Sequence, residues 1–260
     1  MQGQSAHPAA RDGRVGRSGG DPVRLCHRPQ PGAAWRRGPR SSRRRGPLGR
    51  PRLRRGRCPM TTVPPADLLD GVGGWGVMAT AAGAFRLRPV RLPDDLPLLS
   101  GWMNDPAVAE FWHLDGPSRI IEEHLRVQLD GDGRSVPCLG VLGGRAMSYW
   151  EVYRADLDPL ARHYPARPHD TGIHLLLGPA DTRGRGLGSL LLRALADRVL
   201  RVRPACDQVV AEPDIRNLPS VAAFGRAGFR RTVELQLPDK RAVLMVRRRI
   251  RPTAGALRTP

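Results

Sequence analysis

The chain has 260 residues, 40% of them hydrophobic and only 5% aromatic, and carries a formal net charge of +19 at pH 7. That length allows one domain of ordinary size with an extension, and no run is apolar for long enough to predict a membrane span. The charge is uneven: residues 1–59 hold 16 arginines, no lysine and two acids, whereas the remainder has a net charge of only +5.

The Arg-, Gly- and Pro-rich start has almost no apolar periodicity. Residues 1–83 are therefore expected to be a disordered basic extension, because they bury too little surface to offset their ordering entropy. One reading of the arginines in residues 1–59 is an arm for nucleic acid or another anionic surface, acting without a catalytic domain. The preferred reading is that this stretch is not part of the working protein. The ratio of 42 arginines to one lysine suggests a strong codon bias, with Met60 or Met78 as candidate starts. No apolar segment follows the arginines as a secretory signal requires, so the expected location is the cytoplasm, without membrane or nucleic-acid partners. The four cysteines, Cys26, Cys58, Cys138 and Cys206, do not pair at metal-ligand spacing. Neither a metal nor a disulfide is expected.

Residues 84–250 read as one compact domain, followed by a short tail over 251–260. Phe85–Val90 alternates as a first strand, and short helices are expected over Asp94–Trp102, Val108–Trp112 and Ile120–Leu129. Cys138–Leu142 and Ala146–Tyr153 form a hairpin through Gly143-Gly144. The connection from Arg154 to Asp170 contains Pro159, Pro165 and Pro168, and its length suggests a substrate-covering loop. A strand over Gly172–Leu177 leads into Arg183-Gly184-Arg185-Gly186-Leu187-Gly188. An amphipathic helix follows, with Leu187, Leu190, Leu191, Ala194 and Leu195 on one face. Gln208–Glu212 reads as a strand stopped by Pro213. Asn217 is the N-cap of the next helix, and Gly228-Phe229 ends that helix and opens another strand.

Arginine and glycines at a strand-to-helix junction leave backbone N–H groups open at a helix N-terminus, where an anion is favoured. A Walker loop needs Gly-Lys-Ser/Thr, which is absent, and the dinucleotide fingerprint fails because Ser189 stands at its sixth position. Two titratable groups flank the junction in sequence. Taken singly, His174 is a core histidine and Asp214 a turn-capping carboxylate; taken together, on adjacent strand ends, they make a proton-handling site.

The pattern Arg183-x-x-Gly186-x-Gly188, with Asn217, Ser220 and Gly228-Phe229 downstream, resembles the coenzyme A loop and last helix of the GNAT acyltransferases. The resemblance implies an α/β fold with a mixed, mostly antiparallel sheet, splayed between the strands at 172–177 and 208–212 and covered by helices on both faces. It implies acyl-CoA, or the phosphopantetheine of an acyl carrier protein, as co-substrate, held by Arg183, Gly184, Arg185, Gly186, Gly188 and Asn217. A backbone amide near Leu177-Gly178 would polarise the thioester carbonyl. Many members carry a tyrosine where this chain has Phe224, so that proton donor is missing and Phe224 is expected to fill the core.

The segments Trp102–Pro106, Phe111-Trp112, Tyr149–Tyr153, His169–His174 and Glu212–Asn217 are similar to the siderophore acyltransferases, a group that acylates the N6 nitrogen of lysine or N6-hydroxylysine. This resemblance makes His174 a substrate-binding and catalytic residue and Asp214 the proton acceptor. The alternative is an aminoglycoside 6′-N-acetyltransferase, which usually has an aspartate in place of His174 and a tyrosine in place of Phe224. A protein N-terminal acetyltransferase is a further rival.

Overall fold

The computed structural model describes Leu69 and residues 71–250. The arginine-rich stretch 1–59, the candidate start at Met60 and the tail 251–260 lie outside the described residues. Eight strands form one sheet in the order β1-β2-β3-β4-β5-β6-β8-β7. Every pairing is antiparallel except that of β5 with β6.

The folded domain begins earlier than expected. Leu69 and Val72 are each only 1% exposed, and Met78 opens β1 (Met78–Thr80), which pairs with β2 (Gly83–Pro89). Packed residues are thus found ahead of the expected boundary at residue 84, from Leu69 onward among the described residues. Three residues give no period to detect, and what holds this segment is its fit against the core rather than its own pattern.

Three helices follow: α1 (Leu96–Met103), α2 (Pro106–Trp112) and α3 (Ser118–Leu129). Asp105 caps α2 by accepting from Ala107 N–H, and Pro106 fits the first helical position, where no N–H is needed. The hairpin of β3 (Ser135–Leu142) and β4 (Arg145–Arg154) turns through Gly143 and Gly144, both at positive φ as such a turn requires. β5 (Thr171–Leu177) leads to α4 (Leu187–Val202), then β6 (Gln208–Ala211), α5 (Leu218–Arg226), β7 (Arg230–Gln236) and β8 (Arg241–Arg248).

Period-2 alternation along the central strands divides the core between two faces. Trp150 and Val152 of β4 and Ile173 of β5 point to the α4 side, packing with Leu191, Leu195 and Val199. Tyr149 and Leu176 point to the other side, under Leu99, Ile121 and Leu125 of α1 and α3. The buried stripe of α4 runs through Leu191, Leu192, Leu195, Ala196 and Val199, rotated from the expected face, with Leu187, Leu190 and Ala194 at its margin. Gly188 opens the helix facing β5, where a Cβ would stand in ordinary contact with Leu177 and Leu175, at 3.6 and 3.8 Å.

The segment from Arg154 to Asp170 is not an open cover. It winds through two 3-10 turns, and its Leu160 and Tyr164 pack with Tyr153, Val210 and Leu244 in a third apolar cluster. Phe224 is buried edge-on against Phe229, with ring centroids 5.1 Å apart, as a core residue.

Candidate active site

The site sits where the sheet opens. β5 pairs with β6 only at Thr171↔Val209 and Gly172↔Val210, so from Ile173 onward the two parallel strands diverge. On the closed side of β5, Gly178 N–H donates to Met147 O (2.9 Å). The Gly178 amide is thus consumed by the ladder and is not the expected carbonyl-polarising donor. Hydrogen bonding alternates along an antiparallel pair, so Leu175 and Leu177 are the residues that turn their backbone groups to the open edge. In keeping with this, Leu177 O is taken from that side by Arg183 Nε (3.0 Å).

At the mouth of the opening lies the glycine-rich turn. Gly184 and Gly186 have φ of +74° and +80°, and a Cβ on either would meet nothing within 4 Å. Gly186 is the N-cap of α4, and no side chain caps that helix. The amides of its first turn are left for a ligand, with the helix dipole favouring an anion. Arg185 is exposed beside them. Arg183 does something other than expected: its guanidinium donates to Leu177 O and to Gly178 O (2.7 Å) and pairs with Asp105 (3.0 Å). Its side chain ties the turn to the end of β5 and to the cap of α2, and its backbone N–H donates to Ala180 O (3.2 Å), so Arg183 braces the turn. Asn217 Oδ1 accepts from Ser220 N–H (3.1 Å), the predicted N-cap of α5.

His174 occupies the other side of the opening. It is directly opposite Glu151 in the β4–β5 register, so both side chains share a face. His174 Nδ1–H donates to Glu151 Oε2 (2.9 Å) and Nε2–H to Glu212 Oε1 (2.6 Å). An ionised carboxylate only accepts, so two such partners require both ring nitrogens to carry protons. Burial acts to lower the imidazole pKa, but the charges and hydrogen bonds of Glu212 and Glu151 outweigh it and raise the value to about 10.

Both glutamates are themselves well held. Burial pushes their carboxyls up, yet the hydrogen bonds from His124 and His174 to Glu151, and the charges of His174 and Lys240 near Glu212, hold both far below the ordinary range. Glu151 Oε1 accepts from His124 of α3 (2.6 Å), Gln128 (2.8 Å) and the Tyr149 hydroxyl (2.9 Å). Glu212 accepts from the Tyr153 hydroxyl (2.8 Å), with Lys240 Nζ at 3.5 Å. Tyr153 can reach it only because its cross-strand partner is Gly172, where a Cβ would lie 2.0 Å from the ring. Trp112 of α2 meets the His174 ring edge-on at a centroid distance of 6.2 Å.

Asp214, two residues beyond Glu212, makes its hydrogen bonds to Arg216 and not to this cluster. Its carboxylate is engaged by Arg216 through Nε and Nη2 (2.8 Å to Oδ2) and through the Arg216 backbone N–H (2.8 Å). The Arg216 hydrogen bond, acting against slight burial, keeps the Asp214 carboxyl below its ordinary value. The carboxylates that His174 touches are Glu151 and Glu212, so the expected His174–Asp214 pair is not formed. Glu151 and Glu212 stood within the motif segments, but sequence reasoning gave them no role. The available signal was a period-2 polar row, Tyr149-x-Glu151-x-Tyr153, inside an otherwise apolar strand. Among the described residues no cluster of three or more His, Cys, Asp or Glu side chains is placed to hold a metal, and no helix is long and apolar enough to cross a membrane.

Comparison with known proteins agrees with this architecture. The acetyltransferase (GNAT) domain profile matches residues 91–237. The chain is 34% identical over 163 residues to a lysine N-acyltransferase, MbtK, of Mycobacterium sp. (strain MCS), covering 63% of this chain and 66% of that protein. It is 31% identical over 164 residues to the N(6)-hydroxylysine O-acetyltransferase of Escherichia coli, covering 62% of this chain and 52% of that one. The match thus spans between about half and two thirds of these two relatives. Among solved structures, the aminoglycoside acetyltransferase AAC(6')-Ib in complex with coenzyme A is 28% identical with a TM-score of 0.55, covering 64% of this chain and 95% of that chain. With its open β5–β6 edge, its uncapped glycine turn and a family profile that spans more than half of its length, this chain belongs to the GNAT acetyltransferase family.

Proposed function

We propose that the protein transfers an acyl group from acyl-CoA to the side-chain N6 nitrogen of lysine or N6-hydroxylysine, in siderophore biosynthesis. The observation that carries this reading is the pairing of an uncapped, anion-ready helix mouth at Gly186 with a polar cluster around His174 on the same opened strand. The similarity to lysine and hydroxylysine acyltransferases supports the choice of acceptor.

In this reading the diphosphate lies on the amides of Gly184–Gly188, and the pantetheine arm runs into the gap beside β5. The Leu175 or Leu177 N–H polarises the thioester carbonyl, and Asn217 lines the arm. His174 binds and orients the acceptor. Addition to the carbonyl makes the attacking nitrogen far more acidic than the free amine, and an ionised carboxylate, Asp214 or Glu212, takes its proton at that stage. Phe224 offers the departing thiolate no proton, which leaves solvent to supply it. A carrier-protein donor would present the same phosphopantetheine arm. An acyl-CoA donor places the reaction in the cytoplasm.

The test is a thiol-release assay with acetyl-CoA and three acceptors: lysine, N6-hydroxylysine and kanamycin. Release with either lysine-type acceptor, and a product acylated on N6, supports the assignment. Release with kanamycin alone refutes it in favour of aminoglycoside acetylation.

A further inference from the structure

At the acceptor end of the opening one carboxylate has no cation and one cation is only partly used. Asp158 caps the 3-10 turn Pro159–Arg162, accepting from Leu160 N–H through Oδ1 (2.8 Å). Among the described residues nothing pairs with its other oxygen, and the residue is partly exposed. Its segment is packed onto the site: Leu160 and Tyr164 lie against Tyr153, whose hydroxyl reaches Glu212. Asp158 is close enough to Glu212, Glu151 and His174 for their charges to act on it, and burial together with the two glutamates pushes its carboxyl up. A carboxylate so placed gains most from a cation that a ligand brings.

The partly used cation is Lys240, the single lysine of a chain that has arginine at its other 42 basic positions, histidines aside. It stands on the β7–β8 turn with Nζ 3.5 Å from Glu212 Oε1, and its side chain is 23% exposed, so a ligand can reach it. An ammonium has three donors, and Glu212 is the one polar partner of Nζ among the described residues, at the outer limit of hydrogen-bond distance. An arginine here would close a planar two-pronged grip on Glu212. A lysine can rotate and share its donors between Glu212 and a second carboxylate.

Lys240 and Asp158 thus present opposite charges near the same glutamate. Resting on the function proposed above, we infer that they hold the α-amino-acid head of the acceptor, Lys240 its α-carboxylate and Asp158 its α-ammonium. The acceptor's side chain then runs past His174 to the thioester. Neither residue touches the reacting atoms; together they set specificity, favouring an amino acid over a plain diamine, which has no carboxylate, and over an ω-amino acid, which has no α-ammonium. The tightly bonded His174, Glu151 and Glu212 stay in place as the wall against which the head is set.

The experiment measures kcat/KM on the full chain with acetyl-CoA and three acceptors: lysine, cadaverine, which lacks the carboxylate, and 6-aminohexanoate, which lacks the α-ammonium. Each is supplied as the amine and as its N-hydroxylated form. A hydrogen bond to a charged group is strong enough that the wild type should prefer the amino acid over either analogue by about 10- to 100-fold, chiefly through KM. Lys240→Met should lower kcat/KM about tenfold more for lysine and 6-aminohexanoate than for cadaverine. Asp158→Asn should lower it about tenfold more for lysine and cadaverine than for 6-aminohexanoate. A residue that served only to steady Glu212 or the 3-10 turn would lower all three alike. Equal kcat/KM for the three acceptors in the wild type, or variants that lower all three alike, overturns the inference and leaves the acyltransferase reading standing. Turnover with no acceptor in either form, while acetyl-CoA binds, overturns that reading and this inference with it.

Discussion

Replacing Glu212 by glutamine isolates the electrostatics of the site. Glu212 is 6% exposed and receives His174 Nε2–H at 2.6 Å and the Tyr153 hydroxyl at 2.8 Å. Gln keeps the shape and one acceptor oxygen but removes the charge. A hydrogen bond to a charged group contributes about 1.5–3 kcal/mol, against about 1 for a neutral one. At 1.36 kcal/mol per pKa unit, losing that difference lowers the His174 pKa by about one unit from its value near 10. Glu151 remains on Nδ1, so the ring stays above its unperturbed value of 6.5. The assay is an NMR titration of the His174 ring in the wild type and in Glu212→Gln.

Stability follows the same linkage. The raised His174 pKa contributes stability that is fully present below about pH 6.5 and fades as pH rises toward about 10. In Glu212→Gln this fading is complete at lower pH. The depressed Glu212 carboxyl contributes stability that is present above pH 4.5 and lost as the solution becomes more acidic, and the variant lacks that acid-side loss. A wild-type His174 that titrates near 6.5, or a variant that titrates with the wild type, refutes the doubly bonded imidazolium.

Gly172→Ala drives a methyl group into the Tyr153 ring, and an overpacked core site of this kind costs about 1–3 kcal/mol. A lowered Tm together with weaker acceptor binding is expected, since Tyr153 is displaced from Glu212. Arg183→Ala frees the Leu177 and Gly178 carbonyls and Asp105, loosening the donor turn. The KM for acetyl-CoA should rise about tenfold, equivalent to about 1.4 kcal/mol, as read by initial-rate kinetics. A chain beginning at Met78 loses the buried Leu69 and Val72, and each large apolar deletion of this kind costs about 2–5 kcal/mol. Urea denaturation should show that chain markedly less stable than one beginning just before Leu69.

Much of the domain was legible because its elements carry local signals. Gly143-Gly144 marks the hairpin, Asn217 the start of α5, Gly228 its end, and the glycine turn the mouth of α4. What sequence could not supply was long-range fit. β1 is three residues long and exists only because β2 offers it an edge. Asp214 sits close in sequence to the strand end, yet its carboxylate turns to Arg216, two residues on, as a local side chain-to-backbone bond readily arranges. Glu151 joins His174 through the β4–β5 register, and a single-residue slip would have sent it to the opposite face. Arg183 stood in a phosphate-loop pattern, and only the folded chain brings Asp105 and two strand-end carbonyls within its reach.

The central claim is that the free amides at the start of α4 hold the donor, and Gly186→Asp tests it most directly. Aspartate tolerates positive φ better than most residues, and at this position it sets a negative charge against those amides, where it repels a bound diphosphate. No protein atom lies within 4 Å of the new Cβ, and the strain of a side chain at φ +80° costs about 1–2 kcal/mol, so the variant is first shown to be folded by circular dichroism. Isothermal calorimetry with acetyl-CoA should find one site in the wild type and at least a tenfold loss of affinity in the folded variant. Equal affinity in the two proteins, or no binding to the wild type, contradicts the account.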